Sequence, residues 1–248
     1  MGNAAATRWQ GLTGDPNTPE AYAYRRRVLA SAHRPPVRGR VDYLKEVARG
    51  RRVLDVGVVG HCCGDQPGTD WTHGKVAAAA AYCLGVDIVA DEVRKLQELG
   101  HNVRLCDITR ETLGERFDVI ICGEVIEHLG HPAGLFQGAL RHLLPGGRLV
   151  ITTPNPYALW RIKHFLRGQM WENVDHVALM FPGGIAELAE REGMRLDRYC
   201  GVAEVAWTWK SRLLLRGMPL LKLAGICPEA VCETMVYECV RADEVPTG

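Results

Sequence analysis

Three signatures are missing from this 248-residue chain, and each absence excludes a class of protein. No apolar run approaches the roughly 18 residues that a membrane-spanning helix needs. No C-x-x-C pair occurs among the nine cysteines, which removes the usual thiol-redox and zinc-ribbon frameworks. No G-x-G-x-x-G turn follows an apolar strand, so the chain lacks a ready-made pyrophosphate cradle. Net charge is also small, at +1, and the opening residues MGNAAATRWQ have neither a secretory signal's pattern nor the hydroxyl that myristoylation wants at position 6. A cytoplasmic location is therefore the expectation. With 47% hydrophobic and 24% charged residues, the chain suits one soluble domain with a sizeable core.

What is present begins at residues 53–60, VLDVGVVG. Val53, Leu54 and Val56 suit a strand buried on both faces of a parallel sheet, Asp55 interrupts the run near its end, and Gly57 and Gly60 permit a tight, ligand-bearing turn. A carboxylate beside that turn would repel pyrophosphate and attract an ammonium or sulfonium group. Residues 83–88, CLGVDI, end a second strand in Asp87, which is placed to take both hydroxyls of a ribose. Residues 103–108, VRLCDI, offer Asp107 to an exocyclic amine and Ile108 to a purine face. A fourth strand, 117–122, runs through Cys122 into Gly123 and Glu124.

The motifs VLDVGVVG, GVDI, CDI, FDVIICGEVIEHL and LLPGGRLVITTPN, in that order over residues 51–155, resemble those of the class I S-adenosylmethionine-dependent methyltransferases. The resemblance implies a Rossmann-like α/β fold with a seven-stranded, mostly parallel sheet flanked by helices. It implies S-adenosyl-L-methionine as cofactor, with Asp55, Gly57 and Gly60 near its amino-acid part and Asp87 and Ile88 at the ribose. Asp107 and Ile108 would then meet the adenine, and Cys122, Gly123 and Glu124 the pocket floor. The first turn departs from the family's alternating glycines, with Val59 and His61 in place of two of them.

The whole chain, 1–248, reads as a single methyltransferase domain in four parts. Residues 1–50 form a basic N-terminal segment with helices over 19–32 and 41–48, parted by Arg34-Pro35-Pro36. Its charge is either a solvated helix face or a flap for an anionic partner, a phosphorylated or carboxylated small-molecule substrate or nucleic acid. Residues 51–155 form the cofactor core, containing helices near 75–82, 91–99 and 132–144 and a fifth strand over 148–153 after the Pro145-Gly146-Gly147 stop. A loop over 61–71 is a candidate lid, and it holds Cys62 and Cys63, the two cysteines with reactive character; Cys83, Cys106 and Cys122 fall in strands and read as buried. A helix over 185–192 and strands near 195–202 and 234–240 follow. Insertions at 156–180 and 203–233, rich in Trp, Leu, Met and Arg, read as substrate caps.

Catalysis should gather at Glu124, Glu127 and His128, whose i, i+3, i+4 spacing shares one face if a helix begins near Glu124, with His176 downstream. Methyl transfer to a hydroxyl needs alignment and a base, and His128 or His176 fits the base near neutral pH. In some related methyltransferases an E-x-x-E-H motif and a later histidine hold a divalent cation instead. Here the sequence favours the base over the cation. The expected activity is O-methylation of a small molecule. The alternatives are a metal-assisted RNA 2′-O-methyltransferase, for which no appended nucleic-acid-binding module is present, and a cofactor-binding partner protein without turnover.

Overall fold

A computed structural model describes residues 8–60, 68, 70–169, 172–203, 217 and 227–243. Eight strands form one sheet: β1 (Val37–Arg38), β2 (Arg52–Val56), β3 (Tyr82–Asp87), β4 (Val103–Leu105), β5 (Phe117–Gly123), β6 (Leu143–Pro154), β7 (Met194–Ala203) and β8 (Thr234–Arg241). Their order across the sheet is β1-β7-β8-β6-β5-β2-β3-β4, with β8 antiparallel to both neighbours and every other pairing parallel. The eighth strand, relative to the seven expected, is β1, which pairs Val37 and Arg38 with Val202 and Ala203. Two residues between a proline pair and a helix carry no alternation from which a strand could be read.

Helices α1 (Pro19–Ala32), α2 (Arg40–Ala48), α3 (Thr72–Ala79), α4 (Ala90–Glu98), α5 (Ala133–His142), α6 (Leu159–Phe165) and α7 (Pro182–Arg191) flank the sheet. Thr18 caps α1 by accepting the Ala21 N–H, with Pro19 at the first helical position. Central strands β2 and β5 are buried almost throughout, because apolar side chains on both faces meet helices on both sides. One core joins Leu54, Ile120, Leu149 and Tyr237 to Phe136 of α5 and Ile185 of α7. A second lies on the other side, where Val53, Val119 and Val150 meet Leu44 of α2 and Val76 of α3.

Two local expectations are corrected. Pro145-Gly146-Gly147 was expected to separate α5 from the fifth strand, yet β6 already begins at Leu143. Leu143 pairs with Phe117, and a register shift between Phe117 and Val119 absorbs the glycines as a bulge. The strand expected over 103–108 stops at Leu105, since Asp107 turns its carboxylate back onto the Thr109 N–H and hydroxyl at 3.0 and 2.6 Å.

From β2 the chain runs outward through β3 to β4, then crosses back so that β5 lies beside β2 on the other side. That reversal opens a crevice at the carboxyl ends of β2 and β5, the usual ligand position in such sheets. The basic segment spends charge locally: Arg25 pairs with Glu187 and Glu190, Lys45 with Asp42, Arg49 with Glu46 and Arg52 with Glu115. Among the described residues no helix is long and apolar enough to cross a membrane. Residues 61–67 and 69 of the candidate lid lie outside the described residues, as do Cys62, Cys63, Trp171, Trp207, Trp209, Leu213, Leu214, Leu215, Leu220 and Leu221. The seven described cysteines are free thiols, and all but Cys227 are buried.

Candidate active site

A cavity of about 970 Å³ occupies the crevice, at the upper end of the range for small-molecule and cofactor sites. Its first wall is the turn after β2. Gly57 sits at φ +77°, and a Cβ there would lie 2.2 Å from Val125 Cγ2, so only glycine lets the two segments approach this closely. The turn is pinned from three sides: Gly57 N–H donates to Val86 O at 2.9 Å, Val59 N–H to Asp87 Oδ2 at 2.9 Å, and Trp71 Nε1–H to Val58 O at 2.8 Å.

Asp87 closes the second wall at the tip of β3. Its Oδ1 accepts the N–H groups of Ile88 and Val89, so backbone donors hold both oxygens while the side chain still borders the cavity. Ile88 is 70% exposed and also borders the cavity, an apolar surface open for a flat ring to cover. Asp107 and Ile108 form the third wall, with α5 pressed so close that a Cβ on Gly138 would stand 2.3 Å from the Ile108 carbonyl oxygen.

Of the residues singled out from sequence, Gly57, Gly60, Asp87, Ile88, Asp107, Ile108, Glu124 and His128 line this cavity. Asp55, Cys122, Gly123 and His176 are not among its lining residues. Asp55 is buried against His73, with Oδ2 2.9 Å from His73 Nδ1. Cys122 belongs to the apolar core rather than the pocket floor, because successive strand side chains point to opposite faces and its own points among Leu54, Val56 and Ile151. Burial pushes its thiol well above the ordinary range.

The helix expected to begin near Glu124 is a single 3-10 turn, Ile126–His128, entered through Glu124 in a left-handed conformation at φ +56°. Non-glycine residues hold that conformation where the surroundings impose it, and such positions cluster at functional sites. The turn sends Glu124 and His128 to the cavity and Glu127 inward. Main-chain N–H groups of Val177 and Ala178 donate to the Glu127 carbonyl, drawing residues 172–180 across the edge of β5. That brings the His176 ring to 4.8 Å from the His128 ring, edge to face, while Asp175 Oδ2 lies 3.2 Å from His128 Nδ1.

Glu127 is fully buried; Oε2 accepts the Thr153 hydroxyl at 2.9 Å and Oε1 has no hydrogen-bond partner. Burial, and then the neighbouring Glu124 charge, push its carboxyl up to about 7. Donor atoms of Glu127, His128 and His176 lie within 4.8 Å of one another, a geometry that could hold a cation; Glu124 stands outside that group. Sequence reasoning did not single out Trp71, His73, Gly138, Arg161 or Asp175. A Trp-x-His pattern after a loop and a glycine within a helix carry no chemical signature until the fold places their partners.

A family model described as a methyltransferase domain matches residues 24–198. The chain belongs to this methyltransferase family. It is a class I S-adenosylmethionine-dependent methyltransferase, and the carboxylate-rich cavity suits that cofactor's sulfonium, ammonium, ribose and adenine groups. Among curated proteins, it is 27% identical over 213 residues to a ubiquinone biosynthesis O-methyltransferase of Xylella fastidiosa (strain M23), covering 77% of this chain and 80% of that one. An enzyme of the same name from Paracidovorax citrulli (strain AAC00-1) is 31% identical over 177 residues, covering 65% and 68%. Among solved structures, magnesium protoporphyrin IX methyltransferase from Synechocystis PCC 6803 with bound S-adenosylhomocysteine superposes with a TM-score of 0.50. It is 16% identical and covers 94% of this chain and 91% of that one, a likeness of fold.

Replacing Asp87 tests the second wall. Asp87→Ala in this methyltransferase should weaken S-adenosylhomocysteine binding by about ten- to a hundredfold, the loss expected for hydrogen bonds to a charged group. It should also lower stability, because the N–H groups of Val59, Ile88 and Val89 lose their acceptor. Calorimetry showing unchanged affinity would remove Asp87 from the binding site.

Proposed function

We propose that the enzyme transfers a methyl group to a hydroxyl oxygen of a small molecule. The observation that carries this reading is the His128–His176 pair, rings 4.8 Å apart, with His128 on the cofactor cavity and His176 just outside it. The O-methyltransferase names of the relatives support it. When bound, S-adenosylmethionine supplies an electrophilic methyl on a sulfonium centre. The chain's part is to hold that group still, exclude water and receive a proton. Asp87 and Ile88 take the ribose end, Asp107 and Ile108 the adenine end, and Gly57, Gly60 and Glu124 face the amino-acid end. Asp55 acts behind the turn, held by His73, and Cys122 and Gly123 support the floor from within β5. His128 and His176 accept the hydroxyl proton, and alignment alone can remove ~7 to 11 kcal/mol of the barrier.

A second reading rests on the compact group of Glu127, His128 and His176, which fits a divalent cation that binds the acceptor oxygen. The deciding experiment follows labelled methyl from S-adenosylmethionine into a host extract split into small-molecule and RNA fractions, with and without chelator. Chelator-indifferent label in small molecules is the expected result. Chelator-sensitive label in small molecules would favour the cation, and label confined to RNA would overturn the small-molecule reading. His128→Ala and His176→Ala should each leave S-adenosylhomocysteine affinity nearly intact while lowering turnover by about 10²- to 10⁴-fold, the usual worth of a general base. Loss of cofactor affinity in either variant would make that histidine structural.

A further inference from the structure

A second cavity, of about 410 Å³, opens beside α6. Trp160, Ile162, Phe165 and Leu179 supply its apolar walls, and Arg161 and Glu172 form an ion pair on it. Ile162 and Phe165 remain 42% and 59% exposed, apolar area that the described fold leaves to be covered. Arg161 is the opposite case: its side chain is only 11% exposed, its guanidinium lies 4.6 Å from the Trp160 ring centroid, and its buried Nε has no hydrogen-bond partner. Glu233, Glu124 and Glu127 are among the charges acting on it, and of these Glu124 lines the cofactor cavity. A line of side-chain contacts runs from one cavity to the other: Glu172 on the second cavity has Oε2 4.0 Å from His176 Nδ1, and the His176 ring meets edge to face that of His128, which lines the first. A largely buried arginine on the wall of this cavity, whose ion-pair partner Glu172 stands beside His176, is suited to an oxygen that becomes anionic.

We infer that this cavity is the acceptor subsite, that it takes an apolar hydroxy compound, and that Arg161 meets the hydroxyl oxygen as it ionises. The inference rests on the O-methylation reading. In the step it serves, the acceptor oxygen forms the new O–C bond and the electron pair of the broken S–C bond stays on sulfur. The hydroxyl proton leaves to His176, beside Glu172. Arg161 stabilises the developing oxyanion while Trp160 and Phe165 hold the apolar body.

The test uses the full chain saturated with S-adenosylhomocysteine and 4-nitro-1-naphthol, an apolar hydroxy compound whose colour reports its ionisation. The probe should bind without displacing S-adenosylhomocysteine, and its ionisation midpoint should fall by about one pH unit, a tenfold change in the bound acid. Arg161→Gln should abolish that fall, Arg161→Lys should keep part of it, and Phe165→Ala should weaken binding without altering the midpoint. An unshifted midpoint, a shift that survives Arg161→Gln, displacement by S-adenosylhomocysteine, or no binding would each overturn the assignment. The two readings fail separately. Absent probe binding with methyl still entering small molecules sinks the subsite alone, whereas an acidified probe in an enzyme that methylates only RNA sinks the O-methylation reading.

Discussion

Gly57→Ala should cost the protein about 2 to 5 kcal/mol and most of its cofactor affinity. The backbone part comes first: at φ +77° an alanine pays about 1 to 2 kcal/mol for a left-handed conformation. Packing adds to it, because the new methyl would stand 2.2 Å from Val125 Cγ2 and overpacking of that kind costs about 1 to 3 kcal/mol. Relief requires moving either the Gly57 turn or the Val125 segment, and both line the cofactor cavity. Denaturant unfolding and S-adenosylhomocysteine calorimetry measure the two losses. The double variant Gly57→Ala with Val125→Ala separates their causes, since it should recover the packing part and leave the backbone part. A single variant with wild-type stability and affinity would mean that the turn has room the structure does not show.

The position of this turn was readable in the sequence, whereas its bracing was not. Strands β2, β3 and β5 announced themselves because central parallel strands are apolar on both faces, and acids at their tips stand out against such runs. The sheet class followed from that alternation of strands and helices, but β1 did not, being two residues long. Asp87 and Asp107 could be placed at the crevice because a strand end is a fixed point of the fold. Asp55 sits inside its strand, so its partner depended on which helix packed above it, and the answer, His73 of α3, follows a loop whose path no periodicity dictates. The spacing of Glu124, Glu127 and His128 gives one shared face only if a helix begins near Glu124. A left-handed residue at Glu124 and a 3-10 turn divide them instead, two toward the cavity and one inward. His176 approaches His128 through main-chain bonds to the Glu127 carbonyl, which involve no side chain that a sequence could display.

Glu127→Gln should make the protein more stable at pH 8 by up to about 3 kcal/mol and leave it nearly unchanged at pH 4. Burial raises the Glu127 carboxyl from the ordinary 4.5 to about 7 in the folded protein. Between those values the native state keeps a proton that the unfolded chain has released, so stability falls as pH rises through that window, and the loss is complete above about pH 7. The groups facing Glu127 set the balance: Glu124 opposes its ionisation, Arg40 and the Thr153 hydroxyl favour it, and His128 and His176 stand within 4.8 Å. Glutamine keeps an acceptor for Thr153 and never ionises, so the penalty disappears. For a domain of this size the gain corresponds to about 6 to 12 °C in Tm at pH 8. Equal pH dependence of stability in the two proteins would mean that Glu127 ionises freely, and its burial would then need another explanation. A chain that keeps a buried acid at such a cost points to a use for it, and proteins commonly give up stability at sites where chemistry is done. Under the proposed O-methylation, turnover should therefore fall in Glu127→Gln as stability rises, because the His128–His176 pair would lose a neighbour that becomes anionic near neutral pH and that would steady a positive charge taken up with the acceptor's proton.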